Sequence, residues 1–569
     1  MLPVSLDKAA WALHDYGSPQ RFHAATLVRA SKCSITAFTW VIEASEEGQN
    51  CHRVAEIPND YTLRHMRVTF YMARSLNDES AFQKTNGVKY SMSPSRREIL
   101  RGGMSALAAL VATSPAAVAE LIDLGSTATP VGVPPPDEQQ WRALDAQIRG
   151  WWDEDLIHAT EEDIRKDESK SLLFLPFPYL RVSPGPKGTY HEQFAYDTAF
   201  MNYALLAHCR LDVARNHILN HLFLIERYGY APNGNSVHLV TRSQIPFMPP
   251  TVWRYYRATK DLDLLYRAYP LLKHEYRHHW NGPGHQTPTG LSTCRDETDP
   301  RLSPELASEA EAFDFTPVFG ADVRRCVPLA TNCALVNYAR VLALIGRALG
   351  RTEESRGFVE EANHRAELIR RYCWDEKTGF FLEYDYIGRR QLPYFSDFAY
   401  LTLWSGVATR KQAARLVENL HLLEKPYGIA CTDKAYPDPH SEAAYTVKGT
   451  HERYQEGFAA DAPAEYHGGG GILHYMYPAG WGSSQLLVMG GLDHYGYSGA
   501  ARRISARFLT LLLEKYAKTG RLWEKYNVVD GSLILPNSRY GVIPMHSFTA
   551  AAVVLLGRRH FDNQPFTIM

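Results

Sequence analysis

Beyond residue 138, apolar positions recur at three- and four-residue steps, in stretches of ten to twenty residues broken by Gly, Pro and Asn. In 261–280, DLDLLYRAYPLLKHEYRHHW, the residues Leu262, Leu265, Tyr269, Leu272, Tyr276 and Trp280 fall on one helical face. Pro270 sits inside that run and should kink it, since its ring removes a backbone donor and crowds the preceding turn. A second helix is predicted over roughly 330–348, closed by Gly350, and a third over about 352–372. Trp374-Asp375-Glu376-Lys377-Thr378-Gly379 then reads as a turn. No convincing strand alternation interrupts the series. Paired helices over about 430 residues suit a single all-α toroid better than several small domains. An α-solenoid would show a repeat of roughly 30 to 45 residues, and none is found. Periodicity alone does not give the helix count.

The pattern differs before residue 138. Residues 1–91 (MLPVSLDKAAWALHDYGSPQ onward) show neither a sustained helical period nor a clean strand alternation. Residues 92–119, MSPSRREILRGGMSALAALVATSPAAVA, then carry a twin arginine (Arg96-Arg97), an Ala-rich apolar stretch from Met104 to Leu110, and a small-x-small close at Ala117-Val118-Ala119. That three-part layout resembles a twin-arginine secretory signal, the bland alternative being a short amphipathic helix. Signals act at an N-terminus. The expectation is therefore that translation starts at Met92, that 1–91 is a spurious or disordered extension, and that the protein is exported folded to the periplasm or medium. Residues 120–137, rich in Pro, Thr and Gly, read as a linker to one globular region, 138–569.

Composition narrows the partners. With 61 basic and 62 acidic residues the charge is balanced, so neither nucleic acid nor an anionic membrane is favoured. No uninterrupted apolar run is long enough to span a bilayer, and no stable membrane insertion is expected. Eight cysteines are scattered without a C-x-x-C pair, which argues against zinc or redox chemistry; Cys326 and Cys333 are expected to pack as small apolar residues, though an oxidising compartment would permit one or two bridges. His278 and His279 are adjacent and point to different sides of a helix, so no metal is expected. The run GGGG at 468–471 has no Gly-Lys-Ser/Thr after it and is not a phosphate loop. No cofactor is implied. The 67 aromatic residues (33 Tyr, 23 Phe, 11 Trp) suit rings stacking on sugars as well as a large core.

The most specific stretch is 229–247, GYAPNGNSVHLVTRSQIPF. A Pro-Asn-Gly turn leads to Arg242, Ser243 and Gln244, placed directly before Ile245-Pro246. The proline keeps the residue before it extended, which puts a guanidinium and an amide on irregular backbone at a helix mouth, as a site for a hydroxyl-rich ligand requires. An ordinary surface turn is the alternative on PNG alone. The whole segment, however, resembles the PNG-to-RSQ segment of the trehalase family, glycoside hydrolase family 37.

Further matches follow in the family's order. In YHEQFAYDTAF, Glu192 and Asp197 fall on the Glu and Asp of the first signature, R-F-x-E-x-Y-Y-W-D-S-Y, with Tyr196 in place of Trp. Asn233, Arg242 and Gln244 come from the segment above. Arg295 and Glu297 resemble R-P-E-S, and Asn332 the Asn of P-V-D-L-N. In EAEAFDFTPVFG, Asp314 falls on the general acid of S-G-W-D-F-S-S-R-W, and flanking Phe313 and Phe315 would desolvate it and raise its pKa. A helix N-cap is the bland role for such an Asp. Pro478, Gly480 and Trp481 match the end of Q-W-D-x-P-N-G-W-A-P, and Glu524-Lys525-Tyr526 the family's E-K-Y. The resemblance implies an (α/α)6 toroid, an inverting reaction on a disaccharide such as trehalose, and a sugar pocket built from Tyr196, Asp197, Asn233, Arg242, Gln244, Arg295, Glu297 and Trp481. The export machinery would be a transient partner.

The departures are chemical. The first signature's paired arginines read Thr189 and His191, and Q-W-D reads His474-Tyr475-Met476. Anchored on Tyr540 and Phe548-Thr549, the family's base position is Arg539, which stays protonated and cannot act as a base. Three readings stay open: another carboxylate serves, with Glu297 and Glu524 the nearest; phosphate is the nucleophile, bound by the cation, in a disaccharide phosphorylase; or the chain is a carbohydrate-binding relative without hydrolysis.

Overall fold

The computed structural model describes residues 133–166, 171–185, 190–295, 303–312, 315–440, 473–535, 538 and 541–567, with five short strands between Ala25 and Phe70. The chain forms two compact units, Met1–Val118 and Ala119–Met569. In the first, Ser34–Phe38, Ala25–Ser31 and Met66–Phe70 lie in that order in an antiparallel sheet, and Ile42–Glu43 pairs with His52–Arg53.

The second unit is built from α1 (Glu138–Glu154), α2 (Ala195–Ala207), α3 (Leu211–Tyr228), α4 (Met248–Thr259), α5 (Leu262–His274), α6 (Leu329–Ala348), α7 (Thr352–Cys373), α8 (Leu401–Trp404), α9 (Arg410–Glu418), α10 (Gly482–His494), α11 (Ser498–Thr519) and α12 (Ser547–His560). Two further helices, Glu161–Lys166 and Pro304–Ala312, lie in connections. The even-numbered helices pack in chain order, α2 on α4 and so on to α12, and α12 returns to α2, so they close a six-membered inner ring. The odd-numbered helices back it: α3 lies on α2, α5 on α4, α7 on α6, α11 on α10, and α1 on α12. This is an (α/α)6 toroid.

The sequence sorts the two rings by burial. In α7 the buried residues Phe358, Ala362, Ala366, Ile369 and Cys373 recur on one face, and charged residues cover the other. In α2 the buried run is unbroken from Tyr196 to Leu205, as an inner helix enclosed on all sides requires. By length and composition α6 could cross a membrane, but 89% of its most apolar stretch is buried inside the ring. In α5, Asp261 caps the Leu264 amide, the helix runs through Pro270, and it widens into a π turn at Glu275–Trp280. The departure from α geometry thus falls C-terminal to the proline rather than as a break at it. The turn after α7 is a short hairpin, with the two-residue strands Trp374–Asp375 and Phe380–Phe381 joined by residues 376–379. Cys326 and Cys333 are buried in the core, and all six cysteines among the described residues are free, so the permitted bridges do not form there.

Connection length separates the two ends of the ring. From each inner helix to the next outer one the chain needs only 208–210, 260–261, 349–351, 405–409 and 495–497. Such short links make antiparallel neighbours. The opposite end carries the long links, 155–194, 229–247, 281–328, 374–396, 419–481 and 520–546, which lead into the N-termini of the inner helices. Long loops on a rigid scaffold are where a site belongs.

Candidate active site

The N-terminal turns of three inner helices meet at the long-loop end. Asp197, in the first turn of α2, is buried and accepts a 2.6 Å hydrogen bond from Ser547 Oγ at the start of α12. Tyr196 lies edge-on to Phe548 at 6.2 Å and to Phe247 at 5.5 Å. Trp481, which leads into α10, lies 5.7 Å from Phe548. Burial pushes the Tyr196 hydroxyl well above its ordinary pKa, so the ring stays neutral.

The 229–247 connection is tied to this floor by its backbone. The Asn233 carbonyl accepts from Ala195 N at 2.9 Å, Asn233 N donates to the Arg242 carbonyl at 2.8 Å, and Gln244 Oε1 accepts from Tyr196 N at 2.7 Å. Arg242 is 5% exposed. Ser243 Oγ meets His279 Nε2 at 2.9 Å, and the Tyr230 ring stacks on His279 at 4.3 Å. Glu275, in the π turn, holds the start of the loop by accepting from Ala231 N and Tyr338 OH, both at 2.7 Å. Its carboxyl is pushed up to about 7 by burial.

Two buried polar atoms on this surface, Asn233 Oδ1 and Trp481 Nε1, have no hydrogen-bond partner among the described residues. A buried acceptor and donor of this kind are costly unless something else satisfies them. A ligand carrying hydroxyls could satisfy both.

The sequence model of the trehalase family matches residues 133–313, 314–437 and 474–542. The chain belongs to the trehalase family. A probable trehalase of Eremothecium gossypii is 28% identical over 441 residues, 66% of this chain and 55% of that protein. The periplasmic trehalase of Pseudomonas aeruginosa is 25% identical over 404 residues, 63% of this chain and 66% of that one. The chain therefore spans between half and two thirds of the length of these relatives. In three dimensions the neutral trehalase of Saccharomyces cerevisiae superposes with a TM-score of 0.54 at 23% identity, covering 70% of this chain and 80% of that one, a likeness of fold.

Within this trehalase-family frame, Tyr196, Asp197, Asn233, Arg242, Gln244 and Trp481 come together at one end of the ring. Arg295 is exposed and is the last described residue before residue 303. Glu297, Asp314 and Arg539 lie outside the described residues. Asn332 is part of the scaffold: its amide donates to the Ser292 and Pro328 carbonyls, and its oxygen accepts from Ser292 N and Arg365. Glu524, one of the two nearest alternative carboxylates, lies 2.7 Å from Lys525 Nζ and 3.5 Å from His474 Nε2. It sits in a buried ion-pair network, and Lys525 in turn lies 5.5 Å from the centre of the Trp481 ring.

One carboxylate near this floor had escaped notice. Asp397, in the 3-10 turn that opens α8, is 1% exposed and accepts from Tyr475 OH at 2.6 Å. Burial pushes its pKa up to about 7. Its sequence signal, an Asp directly before Phe398, shares only the following Phe with Asp314, which has Phe on both sides and the family match.

Proposed function

We propose that this trehalase-family chain is an exported glycoside hydrolase that cleaves an α-glucoside such as trehalose with inversion at the anomeric carbon. The observation that carries the reading is the gathering of Asp197, Asn233, Arg242, Gln244 and Trp481 at the inner-helix N-termini, with buried polar atoms left for a ligand. Asp314 is assigned as general acid from its match to the family's acid. Inversion needs a second carboxylate roughly 6.5–9.5 Å away with a water between the two. Glu524 is engaged by Lys525 and His474, so it supports the pocket rather than water activation, and the base is left unassigned.

The test is glucose release from trehalose and related α-glucosides by wild type and Asp314→Asn, with and without phosphate. Wild-type release with a fall of about 10²-fold or more in the variant is expected, the size general acid catalysis supplies. Full turnover by Asp314→Asn would sink the assignment. Glucose 1-phosphate formed only when phosphate is present would replace hydrolysis by phosphorolysis, and binding without turnover would make the chain a carbohydrate-binding relative. Export is proposed from Arg96-Arg97 and the Ala117-Val118-Ala119 close; a native mature chain beginning at Glu120 would support it, and one retaining residues 1–91 would refute it.

A further inference from the structure

Beneath the sugar-facing surface lies a group of side chains that the proposed reaction does not use. Asp397 Oδ2 accepts from Tyr475 OH at 2.6 Å, and the same hydroxyl contacts Ser484 Oγ in the first turn of α10. Asp397 Oδ1 has no hydrogen-bond partner among the described residues. The Asp397 amide is fixed by the Cys431 carbonyl at 3.1 Å. The Tyr475 ring stacks on Phe398 at 5.2 Å and lies 5.6 Å from Trp481. Tyr475 is thus held at its tip by a carboxylate, on one face by the Phe398 ring, and against the tilted ring of Trp481.

The backbone of the same residue bonds to the segment that follows Asp314 in the chain. His474 N and Tyr475 N both donate to the Phe315 carbonyl, at 2.8 and 3.2 Å. Phe315 has a φ of +38°, left-handed backbone that a bulky side chain adopts only when its surroundings impose it. The paired donors from 474–475 are among the restraints on it. Phe315 directly follows Asp314 in the chain. Tyr475 also stands where the family's second signature carries Trp, whose indole offers one donor and no acceptor. A phenol can donate to Asp397 while meeting Ser484.

We infer that Asp397 is a positioning residue: by holding Tyr475 it fixes the His474–Tyr475 backbone that grips the Phe315 carbonyl, and with it the backbone of Phe315, next after Asp314 in the chain, and the seat of the Trp481 ring. The inference rests on the proposed reaction for its kinetic consequence, while its structural content stands apart from it. The titratable groups that face Asp397 are Tyr475, Tyr196 and Cys431, and burial pushes all three well up, so they stay neutral. No ion pair reaches Asp397 among the described residues. Burial pushes the Asp397 carboxyl up to about 7, so the link changes its proton count near neutrality.

Tyr475→Phe and Asp397→Asn are the variants to make, and hydrogen exchange and kinetics the measurements. Tyr475→Phe removes a single oxygen and keeps the stacked ring, so it carries the test should Asp397→Asn fail to fold. In Tyr475→Phe, amide protection at 473–476 is expected to fall about tenfold while that of α6 is unchanged, the loss of one buried hydrogen bond. On a cleaved α-glucoside, kcat is expected to fall by about the same factor with KM within about twofold. In Asp397→Asn, a limb near pH 7 in the wild-type kcat profile is expected to disappear. Wild-type protection at 473–476 in both variants, together with an unchanged pH profile, would overturn the inference. A wild type that cleaves no α-glucoside would defeat the proposed reaction, and the exchange measurement alone would then decide the positioning role.

Discussion

Two asparagines matched to the same family play opposite parts. Asn332 uses both ends of its amide inside the protein, between Ser292, Pro328 and Arg365. Asn233 keeps a buried Oδ1 with no partner among the described residues. Asn332→Ala strands several buried groups and is expected to cost about 2–3 kcal/mol of stability, leaving KM of the folded enzyme unchanged. Asn233→Ala is expected to stay within about 1 kcal/mol of wild-type stability and to lower kcat/KM on the disaccharide about tenfold. Denaturant unfolding and steady-state kinetics on both variants check this, and a destabilised Asn233→Ala with intact kinetics would reverse the two roles. The contrast could not be read in the sequence. PNG and RSQ marked Asn233, Arg242 and Gln244 because the turn and the proline fix local backbone. What each amide bonds to depends on residues tens of positions away, so the match of Asn332 gave it no part in the pocket and none in the scaffold, and Asp397 has its partner Tyr475 78 residues distant.

At the scale of elements, two outer helices, α5 and α7, and one inner helix, α6, were legible in the sequence, and the rest of the ring was not. An outer helix such as α7 has one wet face, and the resulting period gave its limits to within a residue. An inner helix such as α2 or α10 is buried on every side and shows no period, which is why the number of helices did not emerge. Closure of the ring, α12 against α2, is therefore a packing fact, and the backing of α12 by α1 rests on a close approach. At Gly557 in α12 an added Cβ would fall 1.9 Å from Trp141 Nε1 of α1, the indole that donates to the Val553 carbonyl at 3.0 Å. Gly557→Ala is expected to destabilise the fold by about 3 kcal/mol or more, since overpacking adds to the lost hydrogen bond. Gly357 in α7 meets nothing within 4 Å, so Gly357→Ala should stabilise by about 0.5–1 kcal/mol through helix propensity. Opposite shifts in the thermal midpoint are the expected result. Equal shifts would mean that α1 does not pack closely on α12 at this point.

Across the whole molecule, the toroid buries carboxyls that no cation pairs among the described residues. Glu275 and Asp397 are pushed up to about 7 and Glu383 to about 8, from ordinary values of 4.5, 3.8 and 4.5. Above its unfolded pKa each group binds more protons in the native state than in the unfolded one, so native stability falls as pH rises toward the folded value. Histidines act in the other direction at acid pH. Burial lowers His217 to about 3 and His221 to about 4, so the unfolded chain takes up their protons below its ordinary value of 6.5. Burial lowers His208, His279, His494 and His560 as well, so the histidines offset part of the carboxyl slope around pH 6.5; between about pH 7.5 and 8 they are largely neutral in both states and the buried carboxyls dominate. Stability is expected to decline across that window, by at most about 1.4 kcal/mol per pH unit for each proton involved. Glu383 is the group to change, because its Oε2 accepts from Leu329 N at 2.9 Å while Oε1 has no partner among the described residues. Gln at this position keeps the acceptor and has no proton to lose. Glu383→Gln should match wild type only near pH 4.5 and below, where the carboxyl is protonated in both states, unfold later than wild type at pH 6 and later still at pH 8, and flatten the slope between, as chemical denaturation at each pH would measure. Parallel slopes for the two proteins would mean that Glu383 is already ionised in the folded ring.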